Sequence, residues 1–337
     1  MLLCKQRGMN QTAHRRAATS PSVHRSATRR PFTTGRSRAG VRVMAGHPAA
    51  NKWIEEQLGT GPVVKESFVS GSGWSSAYVV ETQGGCRYFV KTALGRDEGM
   101  FRGEALGLQA MYDTHTLRIP KVFHYGLLEG AGRGGSFIVM EHLDMRGGRL
   151  DSGELGRRLA RMHLATPKDE HAAAGQFGFP VDNTIGGTQQ LNGWTSDWVA
   201  FLRDKRLGPQ LQMTGDSQLK RMGEQLCSNL HTYFDGIEVR PSVLHGDLWS
   251  GNIGAVGSEP TIFDPATYYG HHEAEFGMSW CAGFSQDFYR AYHEIIPRAP
   301  GFEQRAEIYR LYHYLNHLNL FGDSYYSQCA SILKRLT

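Results

Sequence analysis

Hydrophobic and polar positions change period near residue 140. Before that point the apolar residues fall mostly in short alternating runs: Val63 to Val69, Ala77 to Thr82, Cys86 to Lys91, Lys121 to Leu128 and Ser136 to Met140. Alternation with period two reads as β-strand. The runs are separated by Ser70-Gly71-Ser72-Gly73-Trp74-Ser75-Ser76, by Gln83-Gly84-Gly85 and by a glycine-rich turn over Glu129 to Gly135. Two helices interrupt the strands. Asn51 to Leu58 places Trp53, Ile54 and Leu58 on one face, and Met100 to Met111 places Phe101, Glu104, Leu108 and Met111 on one stripe. After Glu141-His142-Leu143 the spacing becomes helical. Leu155 to His163, Thr195 to Leu211, Ser217 to Tyr233 and Phe302 to Phe321 all read as helices, the last with a core stripe of Tyr309, Tyr312, Leu315 and Leu318. Gln176 to Trp198 fits neither period and is rich in Gly, Asn and aromatics, which suits a functional loop better than a connector. The pattern predicts an α+β chain with an N-terminal sheet handing over to a helical part.

Composition sharpens this in one place. The 337 residues are 40% hydrophobic, enough for a substantial core, and no apolar run approaches the ~20 residues of a membrane span. The formal charge of +5 is unevenly placed. Residues 1–46 hold ten Lys or Arg and no acid, leaving 27 basic and 32 acidic residues in the remainder. We therefore expect neither a nucleic-acid nor a membrane partner for the folded part. An acid-free stretch rich in Arg, Ser, Thr and Ala reads as an organelle transit peptide engaging an import machinery. The alternatives are a basic arm that binds acidic partners and a solvated tail. Gly40 to Ala45 resembles the end of chloroplast transit peptides, with processing near Met44 or Ala45; the mitochondrion is the alternative destination. The five cysteines (Cys4, Cys86, Cys227, Cys281 and Cys329) are scattered without metal or disulfide spacing.

The candidate chemistry centres on His245-Gly-Asp-Leu-Trp-Ser-Gly-Asn252, followed by Asp264 in Thr261-Ile-Phe-Asp-Pro265. A carboxylate, an amide five residues on and a second carboxylate form the parts list of ATP-dependent phosphoryl transfer. One Asp accepts the hydroxyl proton, and Asn and Asp hold the metal on the phosphates. The alternative is a turn-forming loop rich in Gly, Asp and Asn. Gly71, Ser72 and Gly73 lie where bare amides can approach phosphates. Glu104 sits on an apolar stripe and needs a cation, for which Lys91 is the natural partner. His163 reads as a packed core histidine. His271-His272-Glu273-Ala274-Glu275 lacks the spacing of a zinc protease.

With these residues in hand, the chain resembles the fructosamine-3-kinase (ketosamine kinase) family, relatives of the aminoglycoside phosphotransferases, from about residue 49 onward. The resemblance is carried by the 245–252 motif, Asp264-Pro-Ala-Thr-Tyr-Tyr-Gly-His271, Glu273-Ala-Glu-Phe-Gly-Met278, Val139-Met-Glu-His-Leu143, Phe177-Gly-Phe179 and Met100-Phe-x-Gly-Glu104. It implies a bilobal protein-kinase-like fold, with a small β-rich lobe over residues 47–140 and a helical lobe over 141–337. It places ATP under Gly71-Ser72-Gly73, on Lys91 paired with Glu104, and along Glu141, His142 and Leu143. It makes Asp247 the base, Asn252 and Asp264 the Mg2+ ligands, and Trp249, Trp194 and His271 contacts of the sugar. The implied reaction is phosphorylation of the 3-hydroxyl of ketosamines, free or on glycated proteins, which destabilises the adduct and frees the amine. Ribulosamines and erythrulosamines are the expected acceptors, with fructosamines next. Relatives often carry cysteine in the glycine-rich loop; here Gly73 and Trp74 stand there, which argues against thiol control through that loop.

Overall fold

The computed structural model describes residues 48–96, 98–128 and 134–337. The expected targeting segment, residues 1–46, and most of the turn over 129–135 lie outside them.

Helix α1 (Pro48–Gln57) precedes an antiparallel sheet of β1 (Val63–Gly71), β2 (Ser76–Thr82), β3 (Arg87–Leu94), β4 (Val122–Leu127) and β5 (Gly135–Glu141), with α2 (Gly99–Tyr112) between β3 and β4. The strand order is β1-β2-β3-β5-β4. Alternation along β3 sorts its side chains between two cores. Tyr88 and Val90 pack with Ala50 and Ile54 of α1, whereas Phe89 and Ala93 face the large cluster that includes Phe101, Leu108 and Met111 of α2. Lys91, of the second parity, therefore faces α2 as well. The large cluster continues from Ile138 and Met140 into the helical part, so the apolar core does not divide where β5 ends. Thr261 Oγ1 donating to Arg118 O at 2.6 Å and Arg118 N donating to Pro260 O at 3.1 Å also tie the two parts together.

The remainder runs α3 (Ser152–Leu164), α4 (Glu170–Ala173), the hairpin β6 (Asn183–Ile185) and β7 (Thr188–Gln190), α5 (Trp198–Phe201), a π-helical segment Leu202–Leu207, α6 (Gly208–Met213), α7 (Ser217–Asn229), β8 (Ser242–Leu244), β9 (Ile253–Val256), β10 (Glu259–Ile262), β11 (Tyr268–Gly270), α8 (Ser279–Ala282), α9 (Gln286–His293), α10 (Phe302–Phe321) and α11 (Tyr326–Leu336). Side-chain caps set several starts. Asp151 accepts from Glu154 N at 2.8 Å, Asp197 from Val199 N at 2.8 Å and Asp216 from Leu219 N at 2.7 Å, each satisfying an amide the helix leaves unpaired. The helix expected from Thr195 begins three residues later because Asp197 caps it, and it contains a π segment that periodicity did not indicate. The irregular stretch over 176–198 holds the β6–β7 hairpin. Tyr309, Tyr312, Leu315 and Leu318 of α10 are all buried.

Candidate active site

Strand β8 leads directly into His245, Gly246 and Asp247, of which His245 and Gly246 are buried and Asp247 is half-buried. Gly246 has φ +78°, and a Cβ there would sit 2.2 Å from Ala266 O, so both conformation and space demand glycine. His245 is fully buried, with Nδ1 accepting from Asp247 N at 3.2 Å and Nε2 2.9 Å from Phe263 O. A carbonyl can only accept, so Nε2 carries the proton and the ring is neutral. Burial, which lowers its pKa, keeps it so.

Asn252 donates its side-chain nitrogen to two backbone carbonyls, Asp247 O at 2.9 Å and Asp264 O at 3.2 Å. That pairing commits its side-chain nitrogen and leaves the oxygen as its other polar atom. It also fixes both acidic residues to one side chain. Asp264 has φ +61°, a left-handed conformation that costs a non-glycine residue about 1 kcal/mol. Its carboxylate is 57% exposed and lies 2.6 Å from Lys91 Nζ. Lys91 Nζ also reaches both oxygens of Glu104, at 2.9 and 2.8 Å. Burial pushes the Lys91 ammonium down, Asp264 and Glu104 push it up further, and the net shift is upward. The protein packed around Asp264 desolvates its carboxyl in part despite that exposure, which raises its pKa, but the Lys91 charge outweighs this and the carboxyl ends below its ordinary value. Among the described residues Asp247 has no such cation. Burial, then the carboxylates of Asp264 and Glu275, push it up to about 7.

Other expected site residues are placed differently. Within the Ser70–Ser76 loop, Ser72 Oγ accepts from Trp74 N at 3.3 Å and Ser75 N at 3.1 Å, while Ser72 N donates to Ser75 O at 2.8 Å. The expectation of bare amides is therefore not met at Ser72, whose amide is taken by the Ser75 carbonyl, nor at Trp74 and Ser75, whose amides are taken by the Ser72 hydroxyl; Gly71 pairs with Ser76 at the end of β1, and Gly73 has open space around it. Glu141 N is committed to Lys121 O at 2.8 Å, and its carboxylate pairs with Arg118. Of the expected adenine-contacting run, that leaves His142 and Leu143, half-buried just past β5. Trp249 is half-buried with its ring over Gly251, where a Cβ would lie 2.2 Å from the indole. Trp194 is half-buried between His171 and Tyr269, at 5.0 and 6.1 Å between centroids. His271 needs correction as a sugar contact: it is 1% exposed, with Nδ1 2.7 Å from the Tyr309 hydroxyl and aromatic rings around it. Ligand-type atoms of His271, His272 and Glu273 lie within 4.8 Å of one another. Arg305, however, holds both Glu273 oxygens at 2.7 Å.

Sequence reasoning passed over Glu275. Its buried carboxylate accepts from His245 N at 2.7 Å and Gly246 N at 3.0 Å, and His163 Nε2 lies 3.2 Å away. It clamps the backbone at the start of the 245–252 loop. It drew notice only beside a histidine pair and as part of the Glu273–Met278 motif, and nothing in that spacing says which backbone it meets. A second omission is the amide set that seats the β6–β7 hairpin. Asn183 Nδ2 donates to Thr267 O at 2.7 Å and Gln190 Nε2 to Ala266 O at 3.0 Å, just past Asp264.

Residues 47–337 match the fructosamine kinase family profile. The chain belongs to the fructosamine kinase family. It is 44% identical over 328 residues to the chloroplastic protein-ribulosamine 3-kinase of Oryza sativa subsp. indica, covering 94% of this chain and 93% of that one. The fold of this family member also matches a Thermobifida fusca protein assigned as a fructosamine-3-kinase, with TM-score 0.73, 26% identity and coverage of 86% and 98%. An aminoglycoside phosphotransferase, solved with ADP and hygromycin B, shares the fold at TM-score 0.54, 18% identity and coverage of 86% and 96%. The architecture is thus the kinase-like one of sheet and helical part.

Proposed function

We propose that this kinase transfers the γ-phosphoryl group of ATP to the 3-hydroxyl of ketosamines, free or on protein amines, with ribulosamine-type adducts preferred. The observation that carries the reading is the convergence of Asp247, Asn252, Asp264 and Lys91 at one cleft, in a member of the fructosamine kinase family. Lys91, held by Glu104, places the nucleotide phosphates; its bond to Asp264 must loosen to admit them. The free oxygen of Asn252 and the exposed carboxylate of Asp264 are hard oxygen donors, the set that suits Mg2+. Bound there, the ion would neutralise charge on the β- and γ-phosphates. Asp247, with its high pKa, is suited to align the sugar hydroxyl and take its proton. Trp249, two residues on, and Trp194 are the aromatic surfaces proposed to meet the acceptor.

The test is ADP release by the protein lacking residues 1–46, with ribulose-lysine, erythrulose-lysine and fructose-lysine against choline and homoserine. We expect turnover with the ketosamines first. Turnover with choline or homoserine alone would assign another phosphotransferase, and silence with all five would leave a kinase-shaped binding protein. Residues 1–46, together with the chloroplastic relative, support plastid import with the mitochondrion as alternative. A fluorescent fusion of residues 1–60 that stays in the cytosol would remove that proposal. The division into functional lobes at 140/141 is likewise a proposal, since the core is continuous there.

A further inference from the structure

The glycine-rich loop and the β6–β7 hairpin meet at Trp74. The hairpin turns at Gly186-Gly187, with Ile185 paired to Thr188. Gly186 has φ +58°, which such a two-residue turn requires. Gly187 has no such φ, so its backbone does not call for glycine. Space does: a Cβ on Gly187 would lie 2.7 and 2.8 Å from Cε3 and Cζ3 of Trp74, and one on Gly186 3.6 Å from Cζ2 of the same indole. The two glycines form a seat for Trp74. At the other end of the hairpin, Asn183 and Gln190 are bonded to the carbonyls of Thr267 and Ala266, three and two residues past Asp264. The hairpin also meets α2, where a Cβ on Gly103 would lie 2.5 Å from Asn183 Cβ. Gly103 immediately precedes Glu104. Loop, hairpin, the Asp264 segment and the helix that carries Glu104 are thus one packed chain of contacts.

We propose that Trp74 is a positioning residue that latches the glycine-rich loop onto the hairpin and closes the cleft over the transferring phosphoryl group. The Ser72-centred turn holds Trp74 at the loop's apex, and the paired glycines admit the whole indole. A loop held down in this way keeps water from competing with the sugar hydroxyl. With the latch open, ATP and water would give ADP and phosphate, the water oxygen bonding to phosphorus as the β–γ bridge breaks. The inference rests on the kinase reading for its catalytic consequence and on geometry alone for the docking.

The test uses the full chain with Trp74→Ala, Trp74→Phe, Gly187→Ala and the double variant Trp74→Ala/Gly187→Ala. Hydrogen exchange over residues 183–190 reads docking without any activity. We expect about tenfold faster exchange in Trp74→Ala and near-normal exchange in Trp74→Phe. In assays, acceptor-independent ADP release relative to transfer should rise about tenfold in Trp74→Ala. Gly187→Ala should cost about tenfold in transfer when Trp74 is present and less than about twofold when it is absent, because the three atoms nearest that methyl group all belong to Trp74. Unchanged exchange in Trp74→Ala, or an equal Gly187→Ala effect in both backgrounds, would overturn the latch. Normal latch behaviour in exchange together with no ketosamine turnover would instead overturn the acceptor assignment and leave the latch standing.

Discussion

Two sets of charges lie at the front and the back of the same loop, and they are built differently. At the front, Lys91 bridges Glu104 and Asp264, and Asp264 is more than half exposed in a left-handed conformation. Behind, Arg305 and Glu273 form a paired fork that is almost wholly buried, with Arg305 also donating to Tyr233 O at 3.1 Å and Pro300 O at 2.7 Å. Glu275 is equally enclosed and accepts from two backbone amides. The rear charges are close to saturated with partners. The front ones keep unfilled oxygens and a lysine that a phosphate can recruit. The groups proposed to bind substrate are left under-coordinated at some cost to the fold, whereas groups that only hold shape are not.

That contrast can be broken by separating activity from stability. Asp247→Asn should lower kcat by about 10³-fold while nucleotide affinity persists. Its melting temperature should not fall, because a carboxylate pushed up to about 7 is one the fold disfavours in ionised form. Near-normal turnover would remove Asp247 as the base. Arg305→Met should destabilise the protein by about 3–5 kcal/mol in urea unfolding, because it strands the Glu273 carboxylate, and adding Glu273→Met should recover most of the loss. A stable Arg305→Met protein with lost activity would reverse the roles assigned to front and back. Glu275→Gln replaces one acceptor by a donor facing a backbone N–H. We expect kcat to drop about tenfold to a hundredfold with the KM for ATP unchanged, since only the loop that carries Asp247 shifts. A rise in KM alone would place Glu275 in binding instead.

The remaining expected effect is on pH. Burial lowers the histidines of the rear region, His272 and His313 both to about 3. Between that value and about 6.5 the unfolded chain binds protons that the folded chain refuses. Stability is then fully present above about 6.5 and is lost as pH falls toward 3, by up to about 1.4 kcal/mol per unit for each group. Urea midpoints at pH 7, 6 and 5 should decline in that order, and less steeply in His313→Gln. A flat profile would mean that these histidines protonate in place.

Much of this was legible along the chain because it depends on near neighbours. Alternation put Lys91 on the same face of its strand as Phe89, and helical spacing put Glu104 on the buried stripe of α2. Each half of that ion pair was thus marked before the pair was seen. Five-residue spacing brought Asn252 to Asp247, and Gly246 belongs to a motif whose turn only glycine fits. Capping residues moved a helix start by three positions, a local effect that periodicity alone does not weigh. His271 was misjudged because a histidine in a motif looks alike whether it faces a cleft or a core.

The sequence by itself determined which chemistry was on offer: the two acids, the amide, the lysine, and the strands and helices that carry them. Those depend on backbone period and side-chain type, which act over a few residues. Only the tertiary structure decided that Lys91 meets Asp264 across 173 positions, that Glu275 lies beneath His245, and that Trp74 finds its seat on Gly187. Such contacts arise from how whole elements pack, and no local spacing encodes which distant side chain will fill a given space.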